Sequence, residues 1–316
     1  MAHRVKILSL WLRRYTDTPH ADTAESPSSD PHMKEYAVIG WPLGHSMSPV
    51  IHNASFEALG LPCRFTAQPV SPACFDQFMK SVPSAPFKGL AVTIPYKTEV
   101  IKYCTVRAGE VETIGAANTV SISGGGVLRA DNTDASAVGR TLRDAGVSPR
   151  GRRVIVLGAG GAARAACAQV LREGAASLTI ANRTLSRAEA LRRDLLNAFP
   201  SAREVAAITL PGEALAHALR SAHILINTTS VGMHPAAEES PLPTELLTRD
   251  MVVMDAVYNP VETRLIREAR AIGAGTITGT DMLIYQAAEQ ERIWLGVDAP
   301  LPAMREALLR ELGRGA

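Results

Sequence analysis

The stretch VIVLGAGGAARA, residues 154–165, decides the reading of the fold. Its four aliphatic residues in a row suit a strand whose two faces are both covered. A glycine-rich turn, GAGGAAR (158–164), follows directly and opens a run of small residues with helical character. Strand, turn and helix in that order are the context that a dinucleotide fingerprint needs. Glycines let the backbone approach a pyrophosphate, and the helix N-terminus faces its charge. The candidate phosphate-binding residues are Gly158, Ala159, Gly160, Gly161 and Ala162, with Ala163 in the third glycine position. A strand-turn-helix with no ligand is the competing reading.

Toward the C-terminus the alternation continues. SLTIAN (177–182), HILINTT (223–229) and MVVMDAVY (251–258) are apolar strand candidates, and a helix is expected from Leu185 to Ala198. The residues after the second strand bear on the cofactor. A carboxylate there would bond a ribose 2′-hydroxyl, whereas arginine accommodates a 2′-phosphate. This chain has Asn182, Arg183 and Thr184, with Arg187 one helical turn on, so two guanidiniums are available to clamp a phosphate. Solvated surface arginines are the alternative.

Toward the N-terminus, TDASAVGRTLRDAG (133–146) reads as a helix with Thr133 as N-cap and Gly146 as stop. Before it, YAVIG (36–40), CRFTAQPV (63–70), GLAVTI (89–94) and NTVSI (118–122) are strand candidates. Helical spacing separates them at 50–60 and 72–82, and Gly124–Gly126 make a hairpin turn into VLRAD (127–131). The alternation predicts a first α/β domain with a mainly parallel sheet. Everything from Met282 on is helical and is expected to pack back on that domain.

Bulk properties narrow the function. At 316 residues the chain has room for two domains. A net charge of +2 leaves no nucleic-acid footprint. The four scattered cysteines offer neither a disulfide framework nor a zinc site, so no metal is expected and a cytoplasmic location is the default. No apolar run approaches the ~20 residues that span a bilayer. Residues 16–32 are polar and without aliphatics, and 1–32 read as a disordered extension with no assigned function.

Three segments of the first part carry chemistry: GHSMSPVIHN (44–53), GLAVTIPYK (89–97) and DNTD (131–134). Ser46 and Ser48 could grip a carboxylate or hydroxyls, although SxS before proline is also a turn with a helix cap. His45 adds no weight of its own. Pro95 keeps Lys97 out of a helix interior, so Lys97 leaves a strand end, where a lysine is either solvated or a proton donor. Asp134 suits a helix start on dipole grounds alone, and Asn118 suits a turn.

Taken together, these segments resemble the shikimate dehydrogenase family. GWPLGHSMSPVIHN (40–53), VTIPYK (92–97), GAANT (115–119) and DNTDASAVG (131–139) follow the family pattern in the family order. NRTLSRA (182–188), INTTSVGM (226–233), VYNPVETRLI (257–266) and GTDMLIYQA (279–287) continue it. Ala91 is a departure, since many members place Asn there.

The resemblance implies NADP-dependent, reversible reduction of 3-dehydroshikimate to shikimate, without a metal. Lys97 and Asp134 would be the catalytic pair, with Asp134 holding Lys97 and a substrate hydroxyl. Ser46, Ser48, Thr93, Asn118, Tyr258 and Gln286 would bind substrate. NADP would lie on the 158–163 turn, on Arg183 and Arg187, and on the backbone near Ala256 and Gly279. The expected architecture is two α/β domains, 33–134 with 279–316 for substrate and 135–278 as a Rossmann-type NADP domain, with the active site in the cleft between them. The expected partner is a small molecule rather than nucleic acid or a membrane, and a homodimer is left open. Quinate or dual quinate/shikimate dehydrogenation is the alternative within the class. A non-catalytic NADP-binding regulator is the alternative outside it, and the presence of both Lys97 and Asp134 argues against that.

Overall fold

Apolar strands alternating with helices build two six-stranded sheets in the computed structural model, which describes residues 32–44 and 46–314. The extension expected over 1–32 lies, but for His32, outside the described residues, as does His45. The chain divides into two compact units. One holds the chain up to Val111, Ala117–Asn132 and everything from Ala287. The other holds Glu112–Ala116 and Thr133–Gln286.

The first unit begins with β1 (Lys34–Gly40), α1 (Ser48–Ala58), β2 (Cys63–Pro69), α2 (Phe75–Ser81) and β3 (Phe87–Val92). It continues through β4 (Val106–Arg107), the start of α3 (Gly109–Ile114, which passes into the second unit at Glu112), β5 (Thr119–Ile122) and β6 (Leu128–Asp131). The strand order is β2-β1-β3-β5-β6-β4. Only β5 runs against its neighbours, β3 and β6, so the sheet is mainly parallel as expected. The hairpin from β5 to β6 turns on Gly125 and Gly126, whose φ of 81° and 77° suit glycine.

The period-2 alternation of β1 feeds two cores at once. Ala37 and Ile39 join Phe78, Leu90, Val92 and Val120 on one face. Tyr36 and Val38 join Phe56, Phe65 and Ala91 on the other. Ala91, the departure from the family pattern, thus sits in an apolar cluster.

The second unit contains α4 (Asp134–Asp144), β7 (Arg153–Leu157), α5 (Gly161–Arg172), β8 (Ser177–Asn182), α6 (Leu185–Ala198) and β9 (Val205–Thr209). Then come α7 (Glu213–Leu219), β10 (Ile224–Asn227), β11 (Val252–Asp255), α8 (Arg264–Ala271) and β12 (Gly275–Ile277). All six strands are parallel in the order β12-β11-β10-β7-β8-β9. The order reverses between β7 and β10, and such switch points open a crevice at the strand C-termini. A Cβ on Gly139 of α4 would lie 2.3 Å from the Gln169 amide of α5, so glycine permits the close packing of those helices.

Helix α9 (Gly279–Leu295) carries the chain from the second unit into the first, where α10 (Leu301–Arg314) packs on α1. Trp294 of α9 stacks on Tyr36 with ring centroids 5.1 Å apart.

Some local expectations need correction. Thr133 occupies the N-cap of α4, but its side chain makes no capping bond, and Asp134 supplies the favourable first-turn charge. Gly146 does stop that helix, with φ 72° and the paired bonds Gly146 N–H to Arg143 O and Val147 N–H to Leu142 O. The sequence reading lacks β4, β9, β12, α3, α7 and α8. These are short elements, and the three strands bury few of their residues, so their apolar periodicity is weak. Among the described residues no helix is long and apolar enough to cross a membrane.

Candidate active site

In the first unit, the ends of β1 and β3 converge because Gly40 has no side chain. A Cβ there would lie 2.5 Å from Thr93 Cγ2 and 2.8 Å from Ile94 O. The approach is tied by Thr93 N–H to Ile39 O and Trp41 N–H to Ile94 O, each 2.9 Å. Thr93 therefore sits half-buried at the C-terminal edge of the sheet. Past it, the carbonyl of Lys97 accepts the Ala117 N–H at 2.7 Å, which brings the Lys97 backbone beside Asn118.

Asn118 opens the antiparallel strand β5, so it lies at that same edge. It is 1% exposed, and its backbone is bonded on both sides, to Asp131 O and from Val92 N–H. Ser46 and Ser48 follow β1 on this edge too. The competing reading of the serines as a turn beside a helix start holds in part, since the Ser46 hydroxyl accepts the Ser48 N–H at 3.4 Å. Met47 is the N-cap of α1 and makes no side-chain capping bond, while Ser48 and Pro49 are already in the first turn. The fold thus gathers Thr93, the Lys97 backbone and Asn118 along one sheet edge, with Ser46 and Ser48 on the segment that follows β1.

In the second unit, β7 ends at Gly158, whose φ is 111°. A Cβ here would lie 2.7 Å from Thr228 Oγ1, so glycine is required on both counts. Thr228 is held by its own hydroxyl, which donates to Leu157 O at 2.6 Å. Gly160 caps α5, and Gly161 and Ala162 form its first turn, where backbone N–H groups lack intrahelical partners and favour an anion. Ala163 is fully buried beneath them.

Asn182 ends β8 and bonds the Thr184 carbonyl at 2.9 Å, shaping the turn that presents Arg183. Arg183 and Arg187 are both exposed, and neither guanidinium is in an ion pair among the described residues. Ala256 and Gly279 also meet: a Cβ on Gly279 would lie 2.6 Å from the carbonyl oxygens of Ala256 and Val257. Tyr258 is half-buried just past β11, Gln286 is half-buried in α9 with its amide on Leu283 O, and Asp134 is 2% exposed at the start of α4. A glycine turn at the switch point with two arginines after the next strand fits a dinucleotide carrying an extra phosphate.

The sequence reading missed the lock that holds these loops. Asp255, fully buried at the end of β11, accepts from Asn227 Nδ2 at 2.9 Å, Val257 N–H at 3.0 Å and Thr263 Oγ1 at 2.6 Å. Asn227 Oδ1 in turn accepts from the N–H and hydroxyl of Thr229. Burial raises the Asp255 carboxyl to about 6, against the pull of those three donors. The signal available was a polar residue ending each of two apolar strands, INTT and VMDA. Among the described residues no group of three His, Cys, Asp or Glu side chains is placed to hold a metal.

Comparison with known proteins bears on most of the chain. Residues 38–120 match the family described as shikimate dehydrogenase substrate binding domain, 143–255 that of shikimate/quinate 5-dehydrogenase, and 279–309 that of shikimate 5′-dehydrogenase C-terminal domain. The chain is 41% identical over 289 residues to the shikimate dehydrogenase (NADP+) of Methanosarcina mazei, covering 89% of this chain and 99% of that one. A shikimate dehydrogenase solved in complex with NADP+ superposes with a TM-score of 0.81 at 33% identity, over 90% of this chain and 97% of the other. The Thermus thermophilus shikimate 5-dehydrogenase, solved with NADP(H) and shikimate, gives 0.76 at 34% identity, over 88% and 99%.

Proposed function

We propose that this chain, which belongs to the shikimate dehydrogenase family, catalyses the NADP-dependent, reversible reduction of 3-dehydroshikimate to shikimate. The observation that carries the reading is the convergence of Thr93, Lys97 and Asn118 at one edge of the first sheet. A single ammonium among hydroxyl and amide groups suits a polyhydroxylated acid whose ketone oxygen gains charge during reduction. When bound, NADP supplies the nicotinamide that exchanges the hydride. The amides of Gly160, Gly161 and Ala162 would hold its pyrophosphate, Arg183 and Arg187 its 2′-phosphate, and the backbone at Ala256 and Gly279 its nicotinamide end.

Lys97 would donate a proton or hydrogen bond to the developing alkoxide. Asp134 would orient the reacting groups and accept from a substrate hydroxyl. Ser46 and Ser48 would bind the carboxylate, and Thr93, Asn118, Tyr258 and Gln286 the ring hydroxyls. We place the enzyme in the cytoplasm, a reading that rests on four free cysteines. Its partner is a small molecule.

Shikimate is favoured over quinate. Quinate carries an additional hydroxyl on the carbon that bears the carboxylate, and a pocket built for the flat, unsaturated centre would leave it unpaired. The test is formation of NADPH from NADP, or of NADH from NAD, with shikimate and with quinate. Turnover is expected with shikimate and NADP. Comparable efficiency with quinate would make this a dual-specificity enzyme, and no NADPH from either acid would overturn the reading. Lys97→Ala should lower turnover by ~100- to 10,000-fold with a modest change in the shikimate KM. Near-normal turnover would remove Lys97 from the chemistry.

A further inference from the structure

His52 and Asn53 close the motif GHSMSPVIHN, yet neither belongs to the candidate substrate groups. Asn53 has a structural task. Its amide gives and takes hydrogen bonds with the Phe65 backbone at 2.9 and 2.8 Å, fastening α1 to β2. His52 is fully buried and stacks on Phe65, with ring centroids 4.2 Å apart. Its Nδ1 lies 2.7 Å from Glu291 Oε1, and its Nε2 lies 3.2 Å from Gln290 Oε1. The Ser55 hydroxyl donates to the other Glu291 oxygen. Gln290 Nε2 reaches Asn118 O and Thr119 Oγ1, both at 3.1 Å, and the Thr119 hydroxyl is 2.9 Å from Asn118 Oδ1. His52, Ser55, Thr119, Gln290 and Glu291 are all 0% exposed.

The direction of the bonds between Asn118 and His52 follows from one backbone atom. The Asn118 carbonyl can only accept, so the Gln290 atom facing it is the amino nitrogen. Gln290 therefore presents Oε1 to His52, and His52 Nε2 carries the hydrogen. The same amino nitrogen donates to Thr119 Oγ1, so the Thr119 hydrogen points elsewhere. Among the described residues its one acceptor is Asn118 Oδ1. Reversing the Asn118 carboxamide would strand that buried hydroxyl hydrogen, and a buried unmet donor is costly. The oxygen end of Asn118 is thereby held at Thr119, and its amino end is turned the other way.

We propose that Thr119, Gln290 and His52, anchored by Glu291, are positioning residues for substrate binding. They lock the Asn118 carboxamide with its amino end as a donor toward a substrate oxygen. The proposal rests on the assignment of shikimate as substrate. Glu291 and Gln290 come from α9, which ties that helix to Asn118 as well as to the core.

The test uses isosteric changes in the full chain. Thr119→Val keeps the shape of β5 but removes the hydroxyl, and it should raise the shikimate KM roughly tenfold, about 1.4 kcal/mol. The NADP KM should stay unchanged. Gln290→Met should act in the same direction, and Thr119→Ser should restore values within about twofold of the parent. In an Asn118→Ala background, Thr119→Val should add nothing further, because it acts through Asn118. A lower melting temperature with unchanged shikimate KM, or an undiminished effect without Asn118, would overturn the proposal. Crystal structures of the parent and Thr119→Val, both without substrate, give a readout independent of activity. Asn118 should hold one orientation in the parent and lose it in the variant, and an unchanged Asn118 would also overturn the proposal. If the parent fails to oxidise shikimate, the function falls while these structures still decide the positioning.

Discussion

Replacing Gly158 by Ala probes how far the nucleotide turn depends on one missing side chain. Two costs can be read from the structure. At φ 111° an L-residue is strained, which costs ~1–3 kcal/mol. The new Cβ would also lie 2.7 Å from Thr228 Oγ1. Thr228 cannot swing aside freely, because its N–H and hydroxyl both bond Leu157 O, at 3.0 and 2.6 Å. Overpacking of this kind costs a further ~1–3 kcal/mol. The combined loss should lower the melting temperature by on the order of 10 °C for a unit of this size.

The function should suffer selectively. Moving the turn moves the amides that face the pyrophosphate, so the NADP KM should rise roughly tenfold or more while the shikimate KM changes little. Thermal melts and initial rates check both. A second variant separates the two costs. Thr228→Ala removes the atom that the new Cβ meets, so the double variant should be less destabilised than the two singles added together, by ~1–3 kcal/mol. A Gly158→Ala enzyme that melts and binds NADP like the parent would refute the reasoning outright. Strict additivity would refute the overlap and leave only the backbone strain.

Arg183→Ala should raise the NADP KM by roughly 10- to 100-fold, the loss of one charge-assisted contact of ~1.5–3 kcal/mol, while NAD kinetics change far less. Equal damage with both cofactors would make Arg183 structural. Asp255 gives a pH signature. Its carboxyl is raised by burial to about 6 in the folded chain, so its contribution to stability is fully present below about pH 4 and is lost as pH rises through about 6. Asp255→Asn should flatten the fall in stability between those values, measured by urea unfolding across that range, and an unchanged slope would exclude Asp255 as its source. Gly89→Ala would place a Cβ 2.5 Å from Trp294 Nε1, so stability should drop by ~1–3 kcal/mol with a loss of near-UV dichroism. An unperturbed indole signal would contradict the close approach.

Much of this protein was legible in its sequence because local patterns carry local structure. Uninterrupted aliphatic runs such as VIVL and MVVM mark strands covered on both faces, and glycine after VIVL marks the turn that a phosphate needs. The missing carboxylate after SLTIAN speaks to the cofactor for the same reason, since the strand end and the ribose lie at a known offset. The family motifs point to Ser46, Ser48, Thr93, Lys97, Asn118 and Asp134 as one chemical set. Short, half-buried elements such as β9 and β12 escaped because too few of their residues face a core to impose a period.

What the tertiary structure alone decided is which distant groups become partners. Ser46 and Ser48 could be a helix cap or a ligand pair by sequence, and the fold puts Met47 at the N-cap position with the Ser46 hydroxyl accepting the Ser48 N–H beside it. Gly158 is glycine for its φ, but also for Thr228, which arrives from another strand. Asp255 looks like any strand-end carboxylate until Asn227 and Thr263 close around it. The direction of the Asn118 carboxamide depends on Gln290 and His52, residues brought together from opposite ends of the chain. Period and propensity act between near neighbours along the chain, whereas the polarity of a buried hydrogen bond is settled only when both partners have lost their water.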